Sequence, residues 1–257
     1  MMERTPSGLK YFVTGDGPEA VICHPSLGLG RFLFYRLIPS LSRRYQVFAY
    51  DPRGIGENAA MDPNLADWVG DVGELLDIAA RPVHLIGVSL GTWVMSRAAV
   101  RWPQRVARLV LMGTTPGFEN GPQDIESRRT ELSQLGMERF ARQYAENTLA
   151  PSTPSEIRDQ LTEDLKTADP NRYLAAMAAI YLVGNREIFP QVLNDTLIVV
   201  GSLDQRTSPD MADAAARLIP NSQVRVVPDA GHLALLDQPE RIEDLVLEFL
   251  ATGRLVD

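Results

Sequence analysis

Val83-His84-Leu85-Ile86-Gly87-Val88-Ser89-Leu90-Gly91, an apolar run that closes on one serine between two glycines, decides how this chain is read. Val83, Leu85 and Ile86 read as a fully buried strand, and Trp93 to Trp102, stopped by Pro103, as a helix, so Ser89 falls on the corner between them. Such a corner pushes its side chain out of the sheet edge, where a nucleophile can be reached. It also crowds the positions two before and two after. Gly87 and Gly91 meet that demand. The same five letters also describe an ordinary turn serine, so their weight depends on what the rest of the chain supplies.

The chain of 257 residues has the length of one α/β domain or two small ones and can bury about 70 to 75% of its unfolded surface. Its net charge of -8, from 33 acidic and 25 basic residues without a long like-charge block, argues against nucleic acid and anionic membrane surfaces as partners. Cys23 is the single cysteine, which rules out an intrachain disulfide and a thiolate metal cluster. The stretch Met-Met-Glu-Arg-Thr-Pro lacks the apolar core of a signal peptide, and no apolar stretch approaches the length of a membrane span. A cytoplasmic enzyme or binding protein is the expectation.

Short apolar, β-branched runs recur at Tyr11-Thr14, Ala20-Cys23, Tyr45-Tyr50, Val83-Ile86, Leu109-Met112, Thr196-Val200 and Gln223-Val227, with helical patterns between them. This alternation predicts a mostly parallel sheet with helices on both faces. The rhythm breaks over 119-186, which carries only helical signals. We read this stretch as an inserted helical lid between a first core part, 1-118, and a second, 187-257. Met137, Phe140, Ala141 and Tyr144 form one helical stripe, and Thr153-Pro154-Ser155-Glu156 has the form of a capping box. A further helix is capped by Asp169, starts at Pro170 and stops at Gly184. Its apolar stretch Tyr173 to Val183 fits either a helix buried between layers or the ceiling of a pocket.

A serine hydroxyl is a poor nucleophile until a base takes its proton, and only His24, His84 and His232 are available. His84 lies inside the strand before the elbow and His24 ends an early strand. His232 follows the last strand in the turn Asp229-Ala230-Gly231-His232, which can swing an imidazole over the carboxyl edge of the sheet. Asp204, just past the Thr196-Val200 strand, is the acid placed to fix its tautomer. Asp229 and Asp237 lie nearer in sequence, but in the turn and at the cap of the next helix. The strand end after Leu109-Met112 holds Gly113-Thr114-Thr115 and offers no carboxylate. Two backbone N-H donors for a developing oxyanion come from Leu90 and from the Cys23-to-Gly28 loop, with Leu27 preferred and Ser26 its rival.

These pieces in this order resemble the α/β-hydrolase superfamily over the whole chain. Asp51-Pro52-Arg53-Gly54-Ile55-Gly56 is similar to its D-x-R-G-x-G turn, Gly201-x-x-Asp204 to its acid motif, and Gly231-His232 to its base motif. Pro25-Ser26-Leu27-Gly28 is similar to the oxyanion loop of 3-oxoadipate enol-lactone hydrolases, with Pro25 in place of asparagine and Phe34 where tryptophan is common. The narrower resemblance would ask for an arginine to hold a substrate carboxylate. Arg31 or one from the lid could serve, and no position singles it out.

The resemblance implies hydrolysis of a small ester or lactone through an acyl-enzyme, with Ser89, Asp204 and His232 catalytic and no cofactor. Ser26, Trp93, Met177, Ile180 and Tyr181 are expected at the substrate. A carbon-carbon bond hydrolase and a ligand-sensing protein without turnover are the alternatives, and the oligomeric state is left open. Gly54-Ile55-Gly56-Glu57-Asn58-Ala59 also fits a dinucleotide fingerprint by letter, but Pro63 leaves no room for the long helix such a site needs. No histidine pair has metal-ligand spacing.

Overall fold

The computed structural model describes residues 2–255. Its strands are β1 (Met2–Arg4), β2 (Lys10–Thr14), β3 (Ala20–His24), β4 (Gln46–Ala49), β5 (Val83–Val88), β6 (Val106–Met112), β7 (Asp195–Gly201) and β8 (Ser222–Val227). They form one sheet in the order β1-β2-β4-β3-β5-β6-β7-β8. The two pairings that involve β2 are antiparallel, and those from β4 to β8 are parallel. Seven strands match the apolar runs of the sequence within a few residues. The short exposed β1 carries no apolar run and was not foreseen.

Central strands β3 and β5 are buried at every position, as expected of parallel strands covered on both faces. The helices among the described residues are α1 (Leu37–Leu41), α2 (Leu65–Ala79), α3 (Leu90–Arg101), α4 (Gly121–Thr148), α5 (Ser155–Leu165), α6 (Pro170–Tyr181), α7 (Pro209–Ala216), α8 (Ala234–Asp237) and α9 (Pro239–Thr252), of which α2 and α3 pack on the central strands. Helix α2 starts where Asn64 accepts a hydrogen bond from the Asp67 N-H, at 2.9 Å.

Between β6 and β7 stand only α4, α5 and α6 and a short 3-10 turn. Helix α4 breaks at Gly136, whose φ of 69° is open to glycine at little cost. The stripe that starts at Met137 therefore belongs to its second half, with Phe140, Ala141 and Tyr144 buried. Asp169 caps α6 by accepting the Arg172 N-H, as the sequence predicts. The capping box at Thr153 does not form. Pro154 takes the cap position, and the Thr153 hydroxyl donates instead to Asp237.

The segment with the nucleotide-like letters is a turn. Gly56–Asn58 make one 3-10 turn, and the next helix, α2, starts only at Leu65, so no helix opens on these glycines. Asp51 accepts the Arg31 N-H at 2.8 Å, the Arg31 guanidinium at 2.6 Å and the Glu57 N-H at 3.1 Å. Arg53 grips Asp71 through two hydrogen bonds of 2.8 and 2.7 Å. Every charged group of the turn is thus spent on the fold.

His24 closes β3 with no exposed surface, set edge-on to the rings of Tyr50 and Trp68. Its Nδ1 meets the Pro25 carbonyl at 3.0 Å and its Nε2 has no partner, so burial pushes its pKa down to about 4. In the unfolded chain the ring titrates near 6.5, so between those values the unfolded state binds more protons. The stability this neutral ring contributes is complete above about pH 6.5 and is lost as the pH falls towards 4. The loss is about 3 kcal/mol. Asp71, Asp164 and Asp237, whose pKa values burial raises, act in the opposite sense. The contribution of His24 is therefore read by difference. Urea unfolding at pH 7 and pH 4.5 should show His24→Asn losing about 2 kcal/mol less than the parent on acidification. Equal losses would mean that the ring is not the group that titrates.

Candidate active site

Ser89 sits between β5 and α3 with φ 51° and ψ -111°, a left-handed conformation that a side chain adopts only when its surroundings impose it. Both flanking glycines are required by close contact. A Cβ on Gly87 would overlap the Gly91 carbonyl, and one on Gly91 would overlap the carbonyl of His24. The Ser89 N-H donates to the Met112 carbonyl at 2.8 Å, which ties the corner to the end of β6. Its side chain is half-buried and faces a cavity.

Strand register brings the other groups to the same edge. Val88 pairs with Met112, Met112 with Val199, and Gly201 with Val227, so the loops that leave β5, β6, β7 and β8 emerge together. His232 and Asp204, both buried, meet there: Nδ1 of the imidazole lies 2.8 Å from Oδ2 of the carboxylate. Asp204 also accepts the N-H groups of Arg206 and Thr207 at 2.8 and 3.0 Å and the Thr207 hydroxyl at 2.7 Å. Burial by itself would raise its pKa. The hydrogen bond and charge of His232 and the two bonds from Thr207 outweigh it and hold the carboxyl below its usual range. An ionised acceptor at Nδ1 requires the proton on that nitrogen, which leaves Nε2 with a free lone pair.

Gly113, just past the end of β6, lies against the imidazole. A Cβ there would come within 3.1 Å of the imidazole Cε1 and 3.2 Å of the Thr207 hydroxyl. Asp229 is exposed, with its N-H on the Ser202 hydroxyl, and Asp237 accepts the Gly231 N-H at 2.7 Å. Neither touches His232 through its carboxylate among the described residues. His84 lies at the far end of β5, 3.4 Å from Glu19.

The cavity is about 30 Å³, room for about one water-sized guest. It is lined by Ser26, Leu27, Ser89, Phe118, Arg128, Tyr144, Tyr173, Met177, Ile180, Tyr181, Arg206, Thr207 and His232. Of the residues expected at a substrate, Ser26, Met177, Ile180 and Tyr181 are in its wall. Trp93 is not. It lies behind Phe118, stacked at 5.5 Å, with its Nε1-H on the Val183 carbonyl at 3.1 Å. The N-H groups of Leu27 and Leu90, like that of Ser26, donate to no acceptor among the described residues. A larger depression of about 910 Å³ lies outside the carboxyl edge, between Arg97, Phe118, Gly184 and Met211, and includes none of Ser89, Asp204 and His232.

Sequence reasoning did not reach Phe118, Arg128, Tyr144, Arg206 or Thr207. For Thr207 a signal existed, a hydroxyl three residues after the acid. For Arg128 only the fold brings α4 across the elbow. Arg31, considered for a substrate carboxylate, is bound to Asp51 and is not in the cavity wall.

Among the described residues no group of three His, Cys, Asp or Glu side chains could hold a metal ion, and no helix is long and apolar enough to cross a membrane. The family model for the alpha/beta hydrolase fold matches residues 19–239. The chain is 28% identical to a pimeloyl-[acyl-carrier protein] methyl ester esterase of Methylococcus capsulatus over 260 residues, which covers 96% of this chain and 100% of the relative. It is 27% identical to the carboxylesterase YbfK of Bacillus subtilis over 256 residues, 93% of this chain and 82% of that one. The crystal structure of an enol-lactonase from Burkholderia xenovorans LB400 superposes with a TM-score of 0.87 at 20% identity, covering 98% of this chain and 100% of the other, a likeness of fold.

Proposed function

The chain belongs to the alpha/beta hydrolase fold family, and from that premise we propose that it is a serine hydrolase of small carboxylic esters or lactones, working through an acyl-enzyme. The observation that carries this reading is the buried 2.8 Å contact of His232 with Asp204 in a cavity that Ser89 shares. The esterase names of its relatives support the same bond type.

In this reading Nε2 of His232 takes the Ser89 proton as the oxygen attacks the ester carbonyl. The N-H groups of Leu90 and Leu27 receive the negative charge that develops on the carbonyl oxygen. Asp204 keeps the imidazole in the productive tautomer and stabilises it when protonated. The imidazolium then gives its proton to the leaving alcohol, and a water activated by the same nitrogen releases the acid. The first test is the mass of the intact protein after a fluorophosphonate probe. One adduct on Ser89 is expected, and a protein that stays unlabelled while folded would defeat the proposal.

Helices α4, α5 and α6, within 119–186, act as the lid. A cavity of about 30 Å³ is tight for an ester, and movement of these helices would widen it for substrate. Met177, Ile180 and Tyr181 would then meet the acyl chain. Changed singly to alanine, each should shift the preference along p-nitrophenyl esters from acetate to octanoate, each methylene contact contributing about 1 to 3 kcal/mol of discrimination. Unaltered ratios of kcat/KM in all three variants would assign the helix to core packing alone.

A further inference from the structure

The wall of the cavity beside Ser89 holds two guanidinium groups, those of Arg128 and Arg206, and no carboxylate. They differ in what they already hold. Arg128 donates from Nη1 to Glu131 at 2.6 Å and lies over the Phe140 ring, so its charge is largely matched. Arg206 lies over the Tyr144 ring at 4.8 Å, and its guanidinium makes no hydrogen bond or ion pair among the described residues. The Nε of each is buried without a partner.

Other partly buried guanidiniums hold an acceptor: Arg31, Arg53 and Arg172 pair with Asp51, Asp71 and Asp62, and Arg97 donates to Asn185 and to the Trp93 carbonyl. The Nε of Arg206 is out of water without an acceptor, a cost that the contact with the Tyr144 ring offsets only in part. Arg206 also has a fixed place. Its N-H donates to Oδ1 of Asp204 at 2.8 Å, so the carboxylate that orients His232 also sets the backbone from which this guanidinium extends.

We propose that this cavity takes an ester whose own skeleton carries one carboxylate, received by Arg206 with Arg128 beside it. The proposal rests on the serine-hydrolase reading and narrows it. A planar fork of N-H donors matches a carboxylate through two parallel bonds. Of the two guanidiniums in the wall, Arg128 is matched by Glu131 and Arg206 is not, and one unmatched cation suits a monoanion better than a phosphate dianion. An ester that lacks the anion leaves those donors desolvated and unpaired, the arrangement that gives strong discrimination.

The test compares monomethyl with dimethyl esters of succinate, glutarate and adipate by pH-stat titration, for the parent, Arg206→Met, Arg206→Lys and Arg128→Met. For the best diacid the parent should favour the half-ester by at least about 30-fold in kcat/KM. Arg206→Met should bring that ratio near one, with the change carried by KM. Arg206→Lys should keep most of it, and Arg128→Met should lower it in part. A structural role for Arg206 at Tyr144 would instead lower the melting temperature and slow both esters alike. A parent ratio at or below one for all three diacids, or a parent-like ratio in Arg206→Met, overturns the proposal.

Calorimetric titration with the diacids themselves reads the site without turnover. At least one should bind the parent, and Arg206→Met should bind it at least about 10-fold more weakly. No binding to the parent overturns the carboxylate site even if Ser89 proves active. Binding to a protein that neither hydrolyses esters nor labels with fluorophosphonate upholds the site and defeats only the hydrolase reading.

Discussion

Replacing Ser89 by alanine is expected to lower kcat for p-nitrophenyl acetate by roughly 10⁴- to 10⁶-fold, the scale seen when a nucleophile is deleted from a preorganised triad. The loss should come without a loss of stability. Ser89 Oγ makes no hydrogen bond among the described residues, and its side chain is half-buried at a strained corner, so alanine removes no contact that the fold uses. The residual rate would measure what the free N-H groups of Leu27 and Leu90 contribute alone. Steady-state kinetics with melting curves decide it: a variant that keeps parental turnover at an unchanged Tm excludes a serine mechanism at this position.

Asp204→Asn should fold and lose up to roughly 10⁴-fold in turnover. An amide can present an N-H to Nδ1 where the carboxylate accepted one, which moves the imidazole proton to Nε2 and removes the lone pair that Ser89 needs. The N-H groups of Arg206 and Thr207 can still donate to the remaining amide oxygen, so the loop keeps its shape. Asp229→Asn is the matched control, an exposed carboxylate changed in the same way, and should alter turnover by no more than about twofold. Reversed losses would transfer the role of the acid to Asp229.

The elbow could be read from the chain because its constraint is local. A strand that turns at once into a helix leaves no space for a Cβ at Gly87 or Gly91, so the glycines announce the corner. Asp204 and His232 could be placed for a related reason: each follows a recognisable apolar strand, and parallel strands deliver their loops to one edge. The wall of the cavity obeys no such rule. Arg128 stands on a helix whose sequence is mostly polar, and its path across the elbow depends on how α4 packs on α5 and α6. Trp93 carries the same apolar periodicity as a pocket residue would. The fold interposes Phe118 in front of it. Thr153 met the letter of a capping box, but Asp237, 84 residues away in sequence, offered its hydroxyl a better acceptor.

That contact belongs to a small knot with a wider consequence. Asp237 also accepts the N-H groups of Gly231 and Ala150, at 2.7 and 3.1 Å, and the His232 N-H reaches the Thr148 carbonyl at 2.9 Å. The turn that carries His232 is thus moored to the stretch just after α4. Regarded as a part for exchange between relatives, 119–186 is held by this knot as well as by its chain ends and its other contacts, and a transplant that shifted residues 148–153 would carry the histidine's backbone with it. Gly231 sharpens the point, because a Cβ there would overlap the Thr148 carbonyl and admits no adjustment on the other side of the seam. Recombination within this family should therefore succeed most often when its crossovers leave 148–153 and 231–237 from the same parent.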